Sequence, residues 1–306
     1  MDKVALKVGE KELKLGFPLL DERANKGSMG RVLCICGSYD KSGPAMCGAV
    51  YFSAAAAYRT GAGIVEIFTP RENYSSLATL IPEAVFSLYG YEESKKDISL
   101  RLVASVKKAD AVILGCGLGK SETSKALVRT VLENAECPLL IDADGLNILS
   151  EDDGLWSLLS AEQRSRTVIT PHPGEMSRLC GREISDILDN TVSIAKSYAK
   201  EKGIVCLLKD HRTVISDGEN TYINQTGNAG MASAGMGDLL AGIIGALLAR
   251  SAGEKILQRA AAGAYLHGLA GDRASARLGQ YSLISSDLLN EIGGAIGQLF
   301  AEIQQK

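Results

Sequence analysis

The sequence predicts an α/β fold of three layers, a mostly parallel central sheet with helices on both faces and an antiparallel hairpin at one edge. Three observations carry this expectation. Apolar runs that end in glycine or a carboxylate recur along the chain, at 31–37, 64–70, 110–115, 138–144 and 166–173. Runs that are apolar throughout, rather than alternating, mark strands covered on both faces, as in parallel sheets. Between the first two runs Met46, Ala49, Val50, Ser53, Ala54 and Ala57 recur at helical spacing, which completes a strand–helix–strand unit. After Gly203 the character changes: 204–209, 213–216 and 221–224 are short, and Asp217-Gly218 joins the last two as a hairpin turn.

Taken in order, residues 1–30 read as a mobile or strand-like leader ending in Asn25–Gly30. The first core strand stops at Gly37, and a polar loop spans Ser38 to Gly43. The helix that follows ends at Gly61-Ala62-Gly63, where glycine punctuates the start of the next strand. Ser38, Gly117, Asp142, Asp144 and His172 all fall at strand ends. In an open α/β sheet, ligands sit beyond the carboxyl ends of strands, so these residues converge on one face. Late in the chain, 255–278 reads as a helix with Ala260, Ala264, Gly268 and Gly271 as a small-residue seam. The last helix presents Leu289, Ile292, Ile296, Leu299, Phe300 and Ile303 on one face. No linker, repeat or low-complexity tract interrupts the 306 residues, and one domain is expected.

Composition narrows the function. An apolar content of 46% allows a substantial core, and a net charge of −3 leaves no electrostatic footprint for nucleic acid or an acidic membrane. The seven cysteines are odd in number, scattered and mostly within apolar runs, which points to reduced thiols in a cytoplasmic protein. Cys34 and Cys36 have no second Cys or His pair at ligand spacing, so no zinc site is expected. The charged start Met1-Asp2-Lys3 is no signal peptide, and the apolar run 239–249 is too short to cross a bilayer.

The most informative stretch runs from Gly227 to Leu248. Four glycines and several small residues lead to Asp238 and then to an uncharged helical segment. Such a loop brings backbone close to a ligand, and a helix starting there points unpaired N–H groups at it, which favours phosphate. A carboxylate in that position suggests chemistry on a neighbouring hydroxyl; a plain helix N-cap is the equal alternative. Gly115–Ser121 imitates a phosphate loop with one residue too few between its first glycines, and reads as a glycine turn or a ligand loop. Asp142 and Asp144 could hold Mg²⁺ through water or cap the next helix, and spacing favours capping. Two prolines clamp His172 at a strand end, which favours ligand contact, whereas His267 reads as a packing residue. Lys209, His211 and Arg212 lie together before the hairpin, as a solvated turn or a clamp on a nucleotide.

Together, Asn25–Gly30, Gly48-Ala49, Arg59–Gly63, Gly115–Gly119, Asp142–Asn147, Thr170–Met176, Gly227–Ala232 and Gly235–Gly242 resemble, in order, the ADP-dependent NAD(P)H-hydrate dehydratases of the ribokinase-like superfamily. The resemblance runs from about residue 25 to the C-terminus and implies a stand-alone dehydratase, with the partner epimerase on a separate chain. It implies dehydration of the S-epimer of hydrated NADH or NADPH, with ADP as co-substrate, Mg²⁺ as cofactor, and AMP and phosphate as products. By the same resemblance Asp238 is the general base and also touches substrate, with Ala49, Gly119 and His172 binding the hydrated nicotinamide nucleotide. Lys209, Asp210, His211, Arg212, Thr213, Asn228, Gly235 and Gly237 then bind the adenine nucleotide, although relatives usually have glycine where Asp210 stands. A homo-oligomer, tetramer or larger, is expected from the small-residue and apolar C-terminal helices. The competing readings are a ribokinase-like kinase of a small alcohol or vitamin precursor, and a nucleotide-binding module without catalysis.

Overall fold

A computed structural model describes residues 5–39, 45–250 and 255–304 of the chain. The first residues of the leader, most of the 38–43 loop and the Ile303 side chain lie outside the described residues. Among the described residues ten strands form one sheet: β1 (Leu6–Lys7), β2 (Arg31–Ile35), β3 (Ile64–Pro70), β4 (Val85–Tyr89), β5 (Ala111–Leu114), β6 (Leu139–Ile141), β7 (Thr167–Ile169), β8 (Val205–Leu208), β9 (Val214–Ser216) and β10 (Thr221–Ile223). They lie in the order β1-β10-β9-β8-β7-β6-β5-β2-β3-β4. Neighbours are parallel except for the two pairs that β9 makes, with β8 and β10. The β9–β10 hairpin is the one expected from Asp217-Gly218. β4 is an edge strand without a clear apolar run, because only Tyr89 of its five residues is fully buried.

The apolar runs are strands because each residue has an apolar layer to face. Val32, Leu33, Cys34 and Ile35 are all fully buried. Alternate residues feed different cores: Val32 and Cys34 join the helices Cys47–Arg59, Met236–Ala249 and Ile256–Leu278 on one face. Leu33 and Ile35 join Lys95–Val106, Glu122–Asn134 and Thr191–Lys202 on the other. This is the period of two expressed in a sheet buried on both sides.

Strand order fixes where a ligand can sit. β2 pairs with β3 on one side and β5 on the other. The chain therefore leaves β2 in one direction and returns to its opposite flank, a topological switch that opens a crevice at the carboxyl ends of these strands. Beyond the strands the two exits stay joined, with Gly37 N donating to Cys116 O at 2.9 Å and Gly115 N to Ile35 O at 3.1 Å.

Of the two readings of the leader, mobile or strand-like, the second holds, with a short helix added. The leader is part of the fold: β1 pairs with β10 outside the hairpin, and Glu10–Gly16 is a helix. Leu13 and Phe17 are buried, and Gly16 lies so close to the long C-terminal helix that a Cβ there would be 2.2 Å from the Ala262 Cβ. Seven helical residues complete only about two turns, too few for a periodic signal to stand out. The seam expected in the next helix also has an internal use. A Cβ on Gly268 would be 2.2 Å from Thr226 Oγ1, and one on Gly271 2.3 Å from Met231 Sδ. Leu289, Ile292 and Leu299 of the last helix are buried in the same chain. The seam and these three apolar positions are therefore occupied within the protomer, whereas Ile296 and Phe300 are partly buried.

Candidate active site

The helix Met236–Ala249 begins at Gly235, whose φ of +88° is left-handed. A side chain there would also press on Phe52 and on Ser285 Oγ. Ser285 Oγ donates to Ala234 O at 2.6 Å and pins the loop. Upstream, Asn228 Oδ1 accepts from Gly230 N at 3.0 Å, and its Nδ2 donates to Asp272 Oδ1 at 2.9 Å. Asp272 also accepts from Gly227 N at 2.9 Å. Both ends of the Asn228 amide thus shape the loop that leads to the helix. Asp238 is the third residue of the helix, and the N-cap is Gly235, so the capping alternative for Asp238 does not hold. Burial pushes the pKa of His267, which reads as a packing residue, down to about 4, against the raising pull of the Met236 backbone.

The two carboxylates after β6 also differ from expectation. The helix Asp144–Glu151 has Ala143 as its N-cap and no side-chain cap, so neither Asp142 nor Asp144 caps it. Ala143 takes a φ of +49°, strained for a residue with a side chain, and the chain turns there between the two carboxylates. Asp142 is 2% exposed, and its Oδ1 pairs with Lys209 Nζ at 2.8 Å. Asp144 Oδ2 accepts from Gly119 N at 2.7 Å, and its Oδ1 accepts from Asn147 Nδ2 at 3.2 Å. Arg178 Nε continues that chain to Asn147 Oδ1 at 2.9 Å. Gly115, Gly117 and Gly119 all have positive φ. A Cβ on Gly117 would be 2.9 Å from that of Ala49, which brings the glycine loop and the first helix together.

His172 N-caps the helix Pro173–Cys180, its Nδ1 accepting from Gly174 N at 3.0 Å. Glu175 Oε2 returns the bond to His172 N at 2.8 Å, a reciprocal capping box. Burial, with Lys209 and Arg178 nearby, lowers the His172 pKa, which suits an imidazole that accepts at Nδ1. Lys209 N donates to Pro171 O at 2.8 Å, so the ends of β7 and β8 are tied. Burial works against the Lys209 charge, yet Asp142 and Glu175 outweigh it and hold the ammonium above its ordinary range. Glu175 Oε2 lies 3.8 Å from that ammonium, and burial pushes the Glu175 carboxyl up.

Beyond Lys209 the cation cluster disperses. Arg212 is exposed and donates to Gln225 O at 2.8 Å, and the exposed His211 lies against Asp210 at 3.2 Å. Asp210 Oδ1 accepts from His211 N at 2.7 Å, and its carbonyl accepts from Thr213 Oγ1 at 3.2 Å. Asp210 therefore closes its own turn, and Lys209 alone of the three faces the carboxylate cluster.

Asp238 completes the site. Burial, reinforced by the Asp142 charge, raises its pKa to about 6, against a hydrogen bond from the Cys116 thiol and the pull of Lys209. The neighbouring Cys36 thiol and burial together push the Cys116 thiol up, so it stays a neutral donor. A partly buried carboxylate titrating near neutrality, at the mouth of a helix and beside an ammonium, can take a proton from an alcohol as that alcohol attacks a phosphoryl group. Asp142 and Asp144 do not fit a resident magnesium ion, since their carboxylates are engaged by Lys209 and by Gly119 and Asn147. Among the described residues there is also no group of three or more acidic, His or Cys side chains placed to hold a metal. Sequence reasoning missed Glu175 and Cys116 as site components. The reciprocal spacing of His172 and Glu175 is the signal that could have found the first.

Among the described residues no helix is long and apolar enough to cross a membrane. A family model described as NAD(P)H-hydrate dehydratase matches residues 32–293. A bifunctional NAD(P)H-hydrate repair enzyme of Moorella thermoacetica is 37% identical over 94% of this chain, which spans 53% of that relative's length. The chain thus spans about half the length of the curated relatives it matches first. An ADP-dependent (S)-NAD(P)H-hydrate dehydratase of Neisseria meningitidis is 34% identical over 84% of this chain and 81% of its own. Of solved structures, a ribokinase-like superfamily protein from Enterococcus faecalis has a TM-score of 0.83 and 26% identity over 96% of both chains. The ADP/ATP-dependent NAD(P)H-hydrate dehydratase of Bacillus subtilis shares the fold, with a TM-score of 0.78 at 24% identity over 96% of this chain and 99% of its own.

Proposed function

The chain belongs to the NAD(P)H-hydrate dehydratase family, and from that premise we propose that it repairs nicotinamide nucleotides. Its reaction is removal of water from the S-epimer of hydrated NADH or NADPH, with ADP converted to AMP and phosphate. The observation that carries this reading is Asp238, held at a helix mouth with its pKa raised to about 6.

The chemistry follows from the leaving group. Hydroxide leaves a carbon poorly near neutral pH, whereas phosphate leaves readily. Asp238 takes the proton of the substrate hydroxyl, and that oxygen attacks the terminal phosphorus of ADP while the bond to the AMP oxygen breaks. The ring nitrogen then pushes its electron pair toward the carbon–oxygen bond, phosphate departs, and loss of a ring proton restores the double bond. The amides from Ala234 to Gly237 and the Lys209 ammonium stabilise charge on the transferring group. Mg²⁺ belongs to this reading as a companion of the nucleotide's phosphates, the usual way this ion is held in phosphoryl transfer. Ala49, Gly119 and His172 line the nicotinamide side, and Thr213 and Gly237 the adenine nucleotide side.

The reading places the protein in the cytoplasm beside a separate epimerase that interconverts the hydrate epimers. Self-association into a homo-oligomer remains part of it. It would use apolar surface other than the buried C-terminal face, with Leu19 and Tyr281 among the exposed candidates.

The test is recovery of NADH absorbance from the hydrated cofactor, with ADP and with ATP. Asp238→Asn is expected to fold, to bind ADP, and to lose turnover by roughly 10²–10⁴-fold. Accumulation of a stable phosphate ester instead of NADH would favour the kinase alternative and sink this proposal.

A further inference from the structure

We infer that Asp142 is a positioning residue for this reaction: it holds the Lys209 ammonium against the first turn of the helix Met236–Ala249, beside Gly237. The identity of the reaction rests on the dehydratase reading, whereas the geometry stands by itself. Asp142 follows β6, whose neighbours are β5 and β7, and its carboxylate is almost wholly buried at 2% exposure. Its Oδ1 is 2.8 Å from Lys209 Nζ. A Cβ on Gly237 would lie 3.6 Å from both Asp142 Oδ2 and Lys209 Nζ. The ion pair therefore lies across the helix mouth, one residue from Asp238.

A lysine on a four-carbon stem has many positions, and two fixed carboxylates reduce them to one. Asp142 supplies the short contact, while Glu175 Oε2, at 3.8 Å, is the longer one. Phosphate arriving at the helix mouth meets an ammonium already in place, so no reorganisation is needed when charge develops. Asp142 also acts on the base directly. The groups bearing on Asp238 are Asp142 and Asp144, which favour its protonated form, and Lys209 and the Cys116 thiol, which favour the charged form. Neutralising Asp142 removes a repulsion and leaves Lys209 freer to approach Asp238. Both changes weaken the base and move the acid limb of the pH profile to lower pH.

The experiment uses the full chain with Asp142→Asn, Lys209→Met and the pair combined, each checked for a cooperative thermal transition. Asp142→Asn is expected to lower kcat by about 10²-fold, the scale of a misplaced catalytic group, with the KM for hydrated NADH nearly unchanged. Its acid limb should fall by roughly one pH unit. The double variant should be no worse than Lys209→Met alone, because both changes remove one unit. Near-normal kcat with an unmoved limb, or losses that simply multiply, would overturn the inference. If Asp142→Asn does not fold, Asp142→Glu keeps the charge but displaces it, and should lose kcat without moving the limb; wild-type kcat there overturns the inference as well. If the native chain shows no dehydration, the dehydratase reading fails separately. ADP titration calorimetry then decides, with binding weakened about tenfold in Asp142→Asn and non-additive with Lys209→Met expected, and an unchanged Kd overturning it.

Discussion

Asp238 illustrates how a functional residue can oppose the stability of the fold that holds it. Its carboxyl is raised from an ordinary 3.8 to about 6, so the folded state favours the protonated form more than the unfolded chain does. The linkage has a definite sign. The folded state gains from Asp238 as pH falls from about 7 toward 4, and loses that gain as pH rises through about 6. A shift of this size, discounted for partial exposure, costs on the order of 2 kcal/mol at neutral pH and above. Asp238→Asn removes a charge without changing shape and should therefore be more stable than the native chain at pH values above about 7, even as it loses turnover. The difference in urea midpoint between the two proteins should shrink as pH is lowered and vanish near the unfolded-state value. A difference that does not vary with pH would show that burial of the charge is not its source. In the native enzyme, kcat/KM should fall on the acid side of about pH 6, where Asp238 takes up its proton.

At the scale of elements, glycine does two opposite things in the helices. In Met236–Ala249 a Cβ on Gly242 would be 2.2 Å from Ser53 O, a backbone atom of the helix Cys47–Arg59 that cannot turn aside. A Cβ on Gly245 would be 2.5 Å from Ile113 Cδ1 and 2.6 Å from its Cγ1, side-chain atoms rather than backbone. Gly242→Ala is thus expected to cost more than about 3 kcal/mol and to reduce turnover by shifting the helix that carries Asp238, whereas Gly245→Ala should cost about 1–2 kcal/mol. In the last helix Gly297 is exposed with open space around it, and Gly297→Ala should stabilise by roughly 0.5–1 kcal/mol. Chemical denaturation orders the three, and equal costs at 242 and 245 would refute the backbone argument. This contrast also bounds what was legible beforehand. The parallel strands could be read because both faces of Arg31–Ile35 or Ala111–Leu114 are buried, which leaves a continuous apolar run. Asp238 and the strand-end His172 stood out as local patterns. The Asp142–Lys209 pair joins residues 67 positions apart, and nothing local records such a contact. Ala143 was equally hidden, since its positive φ follows from what its neighbours hold and not from its own preference.

The leader matters at the scale of the whole molecule because it ties the two ends of the chain together. β1 extends the sheet beyond β10, and Leu13 and Phe17 bury their side chains among residues of the C-terminal helices. Arg259, itself buried, donates to Gly16 O at 3.4 Å and to Leu247 O at 3.1 Å. It thereby links the leader to the last turn of the helix that bears Asp238 at its other end. Burial and the nearby Arg250 lower the Arg259 pKa, so each carbonyl that accepts from it helps to offset a costly buried cation. Deleting the chain through Phe17 removes one of those acceptors, forfeits the burial of the Leu13 and Phe17 side chains and uncovers the Ala262 surface beneath them. At about 1.5–3 kcal/mol for each buried apolar side chain, the loss should reach several kcal/mol and appear as a lower thermal midpoint. Asp238, Lys209 and Asp142 are fixed by strand ends and by the helix mouth, and the ion-pair partners of Lys209 among the described residues are Asp142 and Glu175. Below its lowered transition the truncated enzyme should accordingly keep KM and kcat within about twofold, and a synthetic peptide spanning residues 5–17 should restore part of the lost midpoint. A truncation that left the midpoint unchanged would mean the leader's docking contributes nothing to the fold.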